Sequence, residues 1–124
     1  MIVGAAVVEV CVHGSQSLKQ KRGVVRSITQ RVRNRFNLAV AEVGGQGTWQ
    51  IAVLGMAAAG SDERVVRRTL ERACAFIEDL HLAEVLSSDL ELLRLPYGEV
   101  GAEFSEDELE VGDFATGEAE DPGE

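Results

Sequence analysis

Cys11 and His13 stand two residues apart, and on an extended strand that spacing puts a thiol and an imidazole on one side, the minimum for a nucleophile beside a base. A cysteine set among valines reads first as packing, so no catalytic residue is assigned and the chain is expected not to be an enzyme. A metal centre needs three or four convergent ligands. The second histidine, His81, lies far along the chain and no second Cys or His pair has usable spacing, so neither metal nor cofactor is expected. Gly44-Gly45-Gln46-Gly47 has the glycine density of a phosphate loop, but no Lys-Ser/Thr follows and the segment leads into a strand. It reads as a hairpin connection. The sharpest set is Ser15, Ser17, Lys19 and Lys21, hydroxyls and ammonium groups gathered where a helix begins, which is a ready anion site.

That helix is the element everything else must position. Ser17 and Gln20 form an S-x-x-Q capping box. Leu18, Val25, Ile28 and Val32 recur at the spacing of one helical face, widened by Val24, while Lys19, Arg22, Arg26 and Arg33 fall together on its flank. Gly23 sits on the solvent side and weakens the helix by about 1 kcal/mol relative to Ala. Ser15 to Phe36 holds seven of the twelve basic residues and no carboxylate. Solvated helices normally interleave both signs at i, i+4, whereas a helix of one sign suits a polyanion. The predicted RNA- or anion-binding set is therefore Ser15, Ser17, Lys19, Lys21, Arg22, Arg26 and Arg33.

The remaining elements follow from period and punctuation. Strands are predicted over 2–12, 38–43, 48–58 and 83–95, the last interrupted near Ser87-Ser88, with a second helix over 62–80 capped by Ser61. The order β-α-β-β-α-β, with right-handed crossovers joined by a hairpin, gives an α+β, ferredoxin-like sandwich: a four-stranded antiparallel sheet with two helices on one face. Its open face offers Val3, Ala5, Val7 and Cys11 from the first strand, with Trp49, Ile51, Val53 and Ala57 from the third. Only Trp49 could stack a base, so nucleic acid is expected on the helix side. A face this aliphatic should be covered, either in a homodimer through Val3, Val7, Trp49, Ile51 and Val53 or by Phe104, Leu109 or Phe114.

The net charge of −9 conceals two parts. Eleven acidic residues and no basic one follow Pro96, leaving twelve basic and ten acidic residues in a body near +2. A folded domain is thus expected over 1–96 and an acidic, disordered tail over 97–124, which could fold back on the basic helix and compete with RNA. No stretch reads as a membrane span or a secretory signal, and the two cysteines lack C-x-x-C spacing, so a cytoplasmic location with reduced thiols is expected.

The run Ser15-Gln16-Ser17-Leu18-Lys19-Gln20-Lys21-Arg22, with Val24-Val25, Arg31, Asn34-Arg35-Phe36-Asn37, Val40-Ala41-Glu42-Val43 and Trp49-Gln50, resembles the YlxP-like bacterial proteins. Gln20 stands where that family usually has Glu, Gln16 where it often has His, and the acidic tail is not a family feature. The resemblance implies a small cytoplasmic protein of ferredoxin-like fold and unassigned function, with no catalytic residues to carry over. It also implies genes beside a ribosome-binding factor and a translation initiation factor. The expected function is a non-catalytic accessory protein associated with ribosomal RNA or the ribosome, without a membrane or small-molecule substrate. The alternative is a protein-interaction module that dimerises through its open sheet.

Overall fold

The structure, a computed structural model, describes residues 1–96. The acidic segment 97–124, with Phe104, Leu109 and Phe114, lies outside the described residues. The elements run β1 (Ile2–Cys11), α1 (Leu18–Arg35), β2 (Ala39–Gly44), β3 (Ile51–Gly60), α2 (Glu63–Leu80) and β4 (Glu84–Arg94). The strands form one sheet in the order β2-β3-β1-β4, every pairing antiparallel. This is the predicted ferredoxin-like α+β sandwich.

Strand alternation decides the core. Ala6, Val8 and Val10 from β1 meet Ala52, Leu54 and Met56 from β3, and the helices close over them with Val25, Ile28 and Val32 from α1 and Val66, Leu70, Ala73 and Ile77 from α2. Each fully buried Val, Leu or Ile contributes about 1.5–3 kcal/mol, so this layer outweighs any single polar contact. Gly4 lets α2 approach β1: a Cβ there would lie 2.6 Å from Leu70 and 2.8 Å from Val66.

Two local boundaries differ from the sequence pattern. Asp62, not Ser61, caps α2, its carboxylate accepting the Arg64 N–H at 2.8 Å where the helix dipole favours negative charge. β3 starts at Ile51 because the chain turns back over residues 45–48 after β2 ends at Gly44, with Gly45 and Gly47 at positive φ and the Thr48 N–H donating to the Gly45 carbonyl. Trp49 consequently sits before the strand, 57% exposed. β4 is irregular as expected, and the register shift lies between Glu9 and Val10, which pair with Ser87 and Val85 and leave Leu86 as the extra residue. Among the described residues, no helix is long and apolar enough to cross a membrane.

Candidate nucleic-acid interface

The cap of α1 forms from its own residues. The Ser17 hydroxyl accepts the Gln20 N–H at 3.1 Å, and Gln20 Oε1 reaches back to the Gln16 N–H at 2.7 Å, one residue earlier than a reciprocal capping box requires. Ser15 is buried and its hydroxyl donates to the Ser17 carbonyl at 3.1 Å. Ser15, buried with its proton given to a carbonyl, has no donor for an anion, whereas Ser17 caps the helix as an acceptor and keeps its own hydroxyl proton.

Lys21 departs furthest from expectation. It is 1% exposed, with Nζ donating to the Gly45 carbonyl at 2.8 Å and the Ile51 carbonyl at 3.0 Å. Glu42 Oε2 lies 3.5 Å from the ammonium, near enough for ion pairing but without hydrogen-bond geometry, so that oxygen has no hydrogen-bond partner. The ammonium thus ties α1 to the β2–β3 connection and cannot receive an external phosphate. Its position was visible in the spacing: Lys21, Val25, Ile28 and Val32 follow one another by 4, 3 and 4 on the buried stripe.

The flank itself divides. Lys19, Arg22 and Arg26 are exposed, and none makes an ion pair or side-chain hydrogen bond among the described residues. Arg33 is exposed in part, but its Nη2 donates to the Val40 carbonyl at 2.7 Å and pins the helix end to β2. Arg31 donates to the Ser27 hydroxyl at 3.1 Å, and Arg35 lies 5.2 Å from the centroid of Phe76, which packs edge-on against Phe36. The predicted seven-residue set therefore reduces to three unanswered cations one helical turn apart. On α2, Glu63 pairs across to Arg94 of β4 at 3.4 Å.

On the opposite side, Val3, Ile51 and Val53 are half-buried and Val7 is 45% exposed, joined by Val43 from β2 and Leu93 from β4. The β4 edge of this face is acidic: Glu91 lies opposite Ala5, Asp89 opposite Val7, and Ser87 donates to Glu9 at 3.2 Å. Glu84 is opposite Cys11 and binds His13 Nε2 at 2.5 Å, while His13 Nδ1 lies 3.8 Å from Cys11 Sγ. Glu84 had no signal in the sequence, because the shifted register decides its neighbour. Among the described residues, no group of three or more His, Cys, Asp or Glu side chains is placed so that it could hold a metal ion.

Residues 3–90 match the model of a family described as protein of unknown function, DUF503. The uncharacterized protein YlxP of Bacillus subtilis (strain 168) is 39% identical over 77 residues, which span 62% of this chain and 84% of that protein. Among solved structures, the de novo designed protein Foldit4 aligns with a TM-score of 0.47 at 12% identity, over 77% of this chain and all of that one. A mutant of SnoaB, a cofactor-independent oxygenase from Streptomyces nogalater, aligns at 0.45 and 14%, over 75% and 92%.

Proposed function

The chain belongs to the DUF503 family, which carries no assigned function, and from that premise we propose a non-catalytic accessory protein that binds RNA phosphates through α1. The carrying observation is the row Lys19, Arg22 and Arg26, exposed and unpaired among the described residues on a helix without a carboxylate. Cations on one face bind a polyanion by releasing its counterions, which gives affinity with little base readout. The gene neighbourhood implied by the YlxP-like resemblance favours ribosomal RNA or the ribosome as that polyanion, and two free thiols fit the cytoplasm.

Filter binding to ribosomal RNA across a salt series tests this reading. Three phosphate contacts give a log–log slope of about −2 to −3, and Lys19→Ala, Arg22→Ala or Arg26→Ala each reduces its magnitude by about 1. A slope near zero would refute it.

A second reading is favoured by a different observation. Val7, Val43, Trp49 and Leu93 are all at least 45% exposed. Such an apolar surface suits dimerisation through the sheet, with no nucleic-acid role.

A further inference from the structure

We propose that Cys11, His13 and Glu84 form a peroxide-sensitive thiol site in which His13 is the base and Glu84 a positioning residue. The constellation spans two strands. Cys11 ends β1, His13 lies in the turn just beyond it with Nδ1 3.8 Å from Cys11 Sγ, and Glu84 stands opposite Cys11 at the start of β4. Neither His13 nor Glu84 is buried, with side chains 69% and 58% exposed, so their contact is not imposed by core packing.

The two contacts of the imidazole fix its tautomer. An ionised carboxylate only accepts, so the nitrogen facing Glu84, Nε2, carries the proton. Nδ1 is left with its lone pair toward the Cys11 thiol, 3.8 Å away. Glu84 therefore selects the form of His13 that can take the thiol proton, and stabilises the imidazolium that results.

Burial selects the reactant. Cys11 keeps 7% of its surface, which disfavours bulky electrophiles and suits hydrogen peroxide. The thiol proton passes to His13 Nδ1, and the thiolate attacks one peroxide oxygen. The S–O bond forms as the O–O bond breaks, the leaving hydroxide takes a proton from His13, and water departs. Sulfur loses two electrons, the peroxide gains them, and Cys11 becomes a sulfenic acid. Cys74 cannot resolve it internally, since it lies on α2 against the core on the other side of the sheet. A thiol small enough to reach the sulfur condenses with the sulfenic acid, releasing water, and a second such thiol restores Cys11.

Cys74 is the internal reference. Burial first, then the charges of Glu78 and Glu71, pushes its thiol up from the ordinary 9.0. The full-length protein is treated with hydrogen peroxide at pH 7, quenched, unfolded, alkylated with iodoacetamide, and each cysteine's surviving thiol is quantified by peptide mass spectrometry. Cys11 is expected to be consumed at least tenfold faster than Cys74. His13→Gln and Glu84→Ala are each expected to slow Cys11 about tenfold, with Glu84→Asp recovering most of the rate and Cys74 unchanged throughout. Circular dichroism confirms that these exposed-site variants fold. Equal consumption of the two thiols, or an unchanged Cys11 rate in His13→Gln, overturns the proposal.

Discussion

At the scale of single residues, the same side-chain type does opposite things two positions apart. Lys19 faces water, and Lys21 is enclosed with a half-buried carboxylate and two carbonyls. Removing one member of such a pair strands the other charge. Lys21→Met should lower stability by about 3 kcal/mol, seen as a melting-temperature drop of about 12 °C or more in a domain of this size. Gly45 and Ile51 also accept from Thr48, so the stranded Glu42 charge carries most of the loss. Adding Glu42→Gln should therefore restore at least about 1 kcal/mol, and a Lys21→Met variant that melts with the parent would show the pair to be idle. The spacing 21-25-28-32 carries the signal for that burial, but an inner stripe counted from Leu18 left Lys21 in the anion-binding set. The identity of its partner was not legible, because only folding brings β2 beside α1.

Elements were legible where period and punctuation agree, as in α1 and β1, and blurred where a bulge intervenes. The extra residue in β4 decides that Glu84, rather than a neighbour, faces Cys11, and a one-residue slip would have reversed its side of the sheet. Glycines show how an element's surroundings set the sign of one substitution. A Cβ on Gly4 meets Leu70, Val66 and Leu92 between 2.6 and 2.9 Å, whereas one on Gly23 meets nothing within 4 Å. Gly4→Ala should therefore wedge α2 from β1 and cost about 1–3 kcal/mol. Gly23→Ala should stabilise α1 by about 0.5–1 kcal/mol. Urea denaturation with an unchanged m-value checks both, and equal midpoints for the two variants would contradict this account of helix–strand contact.

For the whole molecule, the sheet separates a basic helix side from an apolar face with acidic residues, and the two proposed modes of binding should respond oppositely to salt. On the helix side, Lys19, Arg22 and Arg26 have only attraction to offer a polyanion, and added salt must weaken it. The open face has an apolar floor and a one-sign rim of Glu9, Asp89 and Glu91, with no Lys or Arg in β1, β2 or β3. Two copies meeting there bury Val7 and Leu93 against each other while their carboxylates repel, so screening strengthens the pair. A sheet-to-sheet dimer should accordingly be tighter at 500 mM than at 50 mM salt (order-of-magnitude choices set by the Debye length, about 4 and 14 Å). Val7→Asp adds a further carboxylate to the contact, and should shift size-exclusion elution to the monomer position at both salts. An elution volume unchanged by Val7→Asp removes the dimer, and an RNA affinity that persists in that variant assigns binding to the helix side alone.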